Sequence, residues 1–178
     1  MDLQQRLNQL MGPTDNRTKM KIARRLRAFT GDSQVMDVLC TTAVYTDHHE
    51  LRDVLLDVLK ADPAGACVRF SDYARWAQDP VARAHALMNL GLMGCRGAKD
   101  AVINGLYDPD AAVRKAAAMS AGLYDDRSVL LALEHYFESS RFDLTLSFFA
   151  DGLRLLRRKA ARPDNDDLPG MTAIEQVP

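Results

Sequence analysis

Strand signals are scarce in this sequence. Of 178 residues only 7% are aromatic, β-branched alternation is nearly absent, and no Asn-Gly or Asp-Gly turn separates alternating runs. That argues against a sheet. No apolar run approaches the roughly 18 residues a membrane span requires, and no apolar signal core follows the opening Met-Asp-Leu-Gln-Gln-Arg. Both absences lead to the expectation of a cytoplasmic protein. Three cysteines, Cys40, Cys67 and Cys95, form neither a dense framework nor a Cys-x-x-Cys pair, which predicts reduced thiols and no zinc or dithiol site. Net charge is only -1, so the chain as a whole carries no nucleic-acid or membrane signature.

Catalytic and cofactor fingerprints are missing as well. There is no Gly-x-Ser-x-Gly, no phosphate loop and no dinucleotide fingerprint, and no cofactor is expected. Gly91, Gly94 and Gly97 superficially resemble a glycine-rich loop, but they follow a helical pattern rather than a strand. His48-His49-Glu50 is a cluster of possible metal ligands, yet adjacent residues do not share a helix face. It reads as an exposed helix start.

Helix signals dominate instead. Leu3, Leu7 and Leu10 recur at helical spacing behind Asp2, and Gly12-Pro13 ends that pattern. Ile22, Leu26 and Phe29 lie opposite Arg17, Lys21, Arg24 and Arg25. Self-comparison shows a period. Asp79-Pro80 through Gly91 parallels Asp108-Pro109 through Gly122, with Arg83 to Arg114 and Gly91 to Gly122 both 31 residues apart. Units start at Asp15, Asp47, Asp79 and Asp108, and a degenerate fifth starts near residue 140. Each unit reads as two helices, A and B, joined by a Gly/Asp turn. Pro after an Asp cap suits the first helical position, and Gly91 and Gly122 are placed to end helix A in the left-handed conformation. Such pairs bury their apolar faces only by stacking.

The Asp-Pro, Arg, Ala/Leu, Gly-turn pattern of residues 79–138 resembles HEAT-like repeats of the short kind also found in phycobilisome-lyase-type proteins. The resemblance implies an all-α, right-handed α-solenoid of about five antiparallel helix pairs with capping helices. Its parts would be a cap at 1–14, repeats at 15–162 and an acidic tail at 163–178. It also implies a structural ladder between the Asp at a repeat start and the Arg of helix A. Arg83 and Arg114 suit that role, and Arg52 suits it less well.

Three surfaces are candidates for binding. Arg69, Tyr73 and Trp76 lie at spacings of four and three on the second helix of repeat two, and Arg and the aromatics are favoured at interfaces. Arg69 with Tyr73 reads as a groove pair, whereas Trp76 taken alone reads as a core filler. Leu144, Phe148 and Leu155 form a second apolar stripe on the C-terminal segment, beside Phe142, Leu146, Phe149, Leu153 and Leu156. It reads either as a face that the tail at 163–178 folds back to cover or as an association helix for a partner or a second copy of the chain. Arg17, Lys21, Arg24 and Arg25 form a basic patch, within residues 1–30 of local charge +5, against -5 over residues 31–65. The leading expectation is a small bacterial-type, non-catalytic adaptor or scaffold that binds another protein. The alternatives are a subunit of a bilin lyase-like enzyme or a nucleic-acid-binding protein.

Overall fold

The computed structural model describes residues 2–124 and 126–139, which form helices joined by short turns, with no strand among them. In chain order the helices are α1 (Leu3–Met11), α2 (Asn16–Leu26), α3 (Ser33–Tyr45), α4 (His49–Leu59), α5 (Pro63–Trp76), α6 (Pro80–Met93), α7 (Lys99–Gly105), α8 (Ala111–Ala121) and α9 (Arg127–Ser139). Short 3-10 turns occupy Arg27–Phe29 and Arg96–Ala98.

Aspartates start most of these helices. The carboxylates of Asp2, Asp15, Asp32, Asp62, Asp79 and Asp110 each accept an amide N–H from the first turn of the helix that follows. Four N–H groups at a helix start lack partners within the helix, and a short carboxylate satisfies one or two of them. Two of the expected repeat starts move. His48, not Asp47, caps α4, its Nδ1 accepting from the Leu51 amide at 3.2 Å. Asp110, not Asp108, caps α8. Pro80 and Pro63 do occupy the first helical position, whereas Pro109 precedes its cap.

In the stack α2 packs on α4, α3 on α4, α5 and α6, α5 on α6 and α7, α6 on α7 and α8, and α7 on α8 and α9, with α1 against α2 and α3 at one end. One continuous core runs through the stack, with Leu10, Leu26, Leu39, Leu55, Phe70, Leu87, Leu90 and Leu106 fully buried. This is an all-α solenoid, as the period predicts.

Glycine and alanine set how closely α6 and α8 approach. A Cβ on Gly91 would lie 2.7 Å from the Ser120 Oγ and 3.0 Å from the Ser120 Cα. Gly91 therefore lies inside α6 to admit α8, and does not end the helix. The left-handed residue is Gly94, at φ 66°, while Gly122 is right-handed at φ −63°.

The cysteine expectation is also corrected. Cys67 on α5 and Cys95 after α6 form a disulfide, with Cα atoms 5.6 Å apart. Cysteines far apart in sequence meet because α5 packs along α6, a pairing that spacing alone does not reveal. Cys40 is a buried free thiol, as its apolar neighbours imply, and burial pushes its pKa up to about 12.

Candidate interaction surface

Three of the A helices, α4, α6 and α8, carry an arginine that reaches back into the loop before it. The Arg52 guanidinium donates to the Thr46 carbonyl at 2.6 Å. That of Arg83 donates to the Ala77 and Gln78 carbonyls at 3.0 and 3.1 Å. That of Arg114 donates to the Asp108 and Pro109 carbonyls at 3.0 and 2.9 Å. These carbonyls follow the end of a B helix, where intrahelical donors run out. The arginines thus fix the path from each B helix to the next A helix.

An aromatic residue sits immediately before the first carbonyl that each of these arginines grips. Tyr45 ends α3, Trp76 ends α5 and Tyr107 lies just past α7, and the three are 53%, 74% and 55% exposed. They are 31 residues apart, each seven before its arginine. Because α3, α5 and α7 are successive neighbours in the stack, the three rings mark equivalent points on one edge of it. The core reading of Trp76 is therefore wrong: Phe70, one turn and a half earlier, fills the core, and Trp76 faces solvent. The period that locates the repeats also carried this signal, since Tyr45, Trp76 and Tyr107 keep register with Arg52, Arg83 and Arg114.

Two hollows adjoin the row. A cleft of about 570 Å³ opens between the α1–α2 turn and the junction of α3 with α4, lined by Met11, Lys19, Thr42, Tyr45, Asp47 and His48 among others. A shallower hollow of about 310 Å³ lies on α5, formed by Arg69, Asp72, Tyr73, Trp76 and Ala77. Tyr73 joins them. Its hydroxyl lies 2.7 Å from the Thr41 Oγ1, and its ring meets Tyr45 edge-on at 6.2 Å. Tyr107 is held likewise, edge-on to Tyr136 at 5.9 Å.

The sequence-derived candidates fall in different places. Arg69, Tyr73 and Trp76 do share one hollow. The Arg69 guanidinium, however, is committed to α3, bonding the Asp37 carboxylate and the Ser33 Oγ, the latter at 2.9 Å. It acts as a strut between B helices. Arg17, Lys21, Arg24 and Arg25 are all exposed on α2, and none forms a salt bridge with a described residue. They stand apart from the aromatic row. Leu144, Phe148 and Leu155, and the tail at 163–178, lie outside the described residues. No described helix is long and apolar enough to cross a membrane.

Electrostatics sharpens at one junction. Arg83 holds the Asp108 carboxylate through two bonds of 2.8 and 2.9 Å, with both side chains mostly buried at 14% and 12% exposure. Burial alone would raise the Asp108 pKa; the Arg83 hydrogen bonds and the Asp110 amide outweigh it and hold the carboxyl below its usual range. The same contact raises Arg83. This is one rung of the inter-repeat ladder that the resemblance implies, at Arg83; Arg52 bonds a carbonyl and lies beside His85 instead.

No curated protein matches the chain. The family model for HEAT repeats matches residues 70–154. Over residues 70–154 the chain is thus similar to HEAT repeats, and the stacked helices of the described residues agree with that likeness.

Proposed function

We propose that the chain is a non-catalytic adaptor that binds another protein along the edge marked by Tyr45, Trp76 and Tyr107. HEAT repeats in general mediate protein–protein interaction. The observation that carries the assignment to this edge is the recurrence of a large exposed aromatic at the same point of three successive repeats. Exposed aromatics on a rigid scaffold supply contact area with little side-chain entropy to lose. The arginine grips keep the backbone beneath them fixed, so the rings are displayed in a set order. No bond needs to be made or broken.

The test compares tagged full-length chain with a Tyr45→Ala/Trp76→Ala variant in native cells, by quantitative mass spectrometry. One protein recovered near stoichiometry and lost from the variant supports the reading. A partner retained in full by the variant would remove the edge from consideration.

The exposed cations on α2 favour a second reading, nucleic-acid binding through Arg17, Lys21, Arg24 and Arg25. It requires binding that weakens steeply with salt and is abolished by Arg24→Glu with Arg25→Glu.

A further inference from the structure

We infer that the occupant of this edge is an extended, proline-rich segment carrying basic residues, bound in the polyproline II conformation. The inference rests on the adaptor reading and names the chemistry of its partner.

Spacing is the first argument. Packed helices lie roughly 8–10 Å apart, so equivalent residues on α3, α5 and just beyond α7 repeat at that interval. A polyproline II segment has three residues per turn and rises about 3.1 Å per residue, so one face returns about every 9 Å. Every third side chain then meets one ring. A β-strand returns a side chain to one face every second residue, about 6.6 Å, and falls out of step by the third ring.

Hydrogen bonding is the second. Each ring ends in a donor: the phenol O–H of Tyr45 and Tyr107, the indole N–H of Trp76. A polyproline II chain has no internal hydrogen bonds, so its carbonyls remain available to those donors. An α-helix, whose i-to-i+7 pitch also approaches 10 Å, has already spent its carbonyls internally.

Charge is the third. Asp47 lines the large cleft, Asp72 the smaller hollow, and Asp79 lies three residues past Trp76; all three are exposed. None forms a salt bridge with a described residue. Against these three carboxylates stand two cations that likewise form no salt bridge with a described residue, Lys19 beside Asp47 and the exposed Arg75 next to Trp76, while Arg69 is already paired to Asp37. The excess is negative, which favours Lys or Arg between the prolines.

Trp76 is the single tryptophan of the chain, so its fluorescence reports directly on the edge. Full-length protein is titrated with a synthetic proline-rich peptide bearing arginines, beside the same peptide with glycine for proline. A saturable blue shift is expected with the first peptide, with affinity at least about tenfold weaker for the second and falling at high salt. By calorimetry, Trp76→Ala should weaken binding about tenfold, Tyr45→Ala and Tyr107→Ala somewhat less, and Trp76→Phe least. Thermal melts of these surface variants should match the parent. Equal affinity for both peptides, no blue shift, or an unaltered Trp76→Ala overturns the inference.

A photo-crosslinking residue at position 76 in native cells separates this from the broader reading. Crosslinks to a proline-rich basic segment support it. Crosslinks to another kind of segment, or to residues 140–178 of the chain itself, overturn it, and a foreign segment leaves the adaptor reading standing. No crosslink from positions 45, 76 or 107 removes both.

Discussion

Two neighbouring joints of the stack are fastened in opposite ways. Where repeat three meets repeat four, the A side carries the buried Arg83–Asp108 pair and close α6–α8 packing through Gly91. The B side has a partly exposed pair, Lys99–Asp126 at 3.3 Å, with the Tyr124 hydroxyl donating to the Cys95 carbonyl at 2.9 Å. Where repeat two meets repeat three, the residue equivalent to Asp108 is Ala77, one repeat earlier. Arg52 has no carboxylate there, and its guanidinium lies 3.4 Å from the His85 Nε2. Helix α6 packs on α3 as well as α5. His85 and Asn89 of α6 reach the Val44 and Ala43 carbonyls at 2.6 and 3.5 Å, groups that the end of α3 leaves unpaired. The B side of this joint is closed by the Cys67–Cys95 disulfide. A repeat protein can thus keep one backbone pattern while moving its fastening from edge to edge.

Opening the disulfide should have the largest effect. A closed loop of that length is worth about 3–4 kcal/mol, so reduction, or alanine at both cysteines, should lower stability by that order in denaturant melts. Hydrogen exchange should rise in α5 and α6 before α8. Equal loss across all three would show that the joints are not separable.

Arg83→Met should cost about 2–3 kcal/mol, because it strands the Asp108 carboxylate in a mostly buried site. Arg52→Met should cost less, since no carboxylate depends on Arg52. Gly91→Val should lose about 2 kcal/mol by forcing α8 away from α6, whereas a methyl at Gly31 meets nothing within 4 Å and should be tolerated. Thermal unfolding of the four variants checks both contrasts.

Ala77→Asp sharpens the comparison in the other direction. It places beside Arg52 the carboxylate that Asp108 offers Arg83, and should gain about 0.5–1 kcal/mol. A loss would mean that α4 and α6 stand too far apart for the ladder to form.

Acid should loosen the third-to-fourth joint, together with the Asp15 cap of α2, whose carboxyl the Thr18 hydrogen bonds also hold low. The folded pKa of Asp108 lies below 3.8, and Ser128 hydrogen bonds bring that of Asp126 down to about 2. A depressed carboxylate contributes stability above its unfolded pKa and loses it as pH falls through the folded value. Stability should therefore decline from about pH 4 towards 2, and Asp108→Asn should flatten part of that slope in urea melts.

Much of the fold was legible in the sequence. The 31-residue return of Arg83 at Arg114 and the aspartate caps identify the helix pairs without coordinates. Two boundaries slipped: Asp108 for Asp110 because a loop aspartate and a capping aspartate look alike in sequence, and Asp47 for His48 because Asp ranks among the favoured caps and histidine does not. Trp76 was misread because helical spacing does not say which face a neighbouring repeat covers, although the regular spacing of Tyr45, Trp76 and Tyr107 was there to be found.

What the sequence determines by itself is local and periodic. Caps, turns and the apolar face of each helix follow from backbone hydrogen bonding and side-chain spacing within a few residues. What the tertiary structure decided depends on residues some thirty apart coming together. The Cys67–Cys95 bond, the engagement of Arg69 with α3 and the exposure of the aromatic row all arise from how one helix pair seats on the next. That seating is set by the sizes of Gly91, Ala117 and Ser120, and by which carbonyls at a helix end still need a donor.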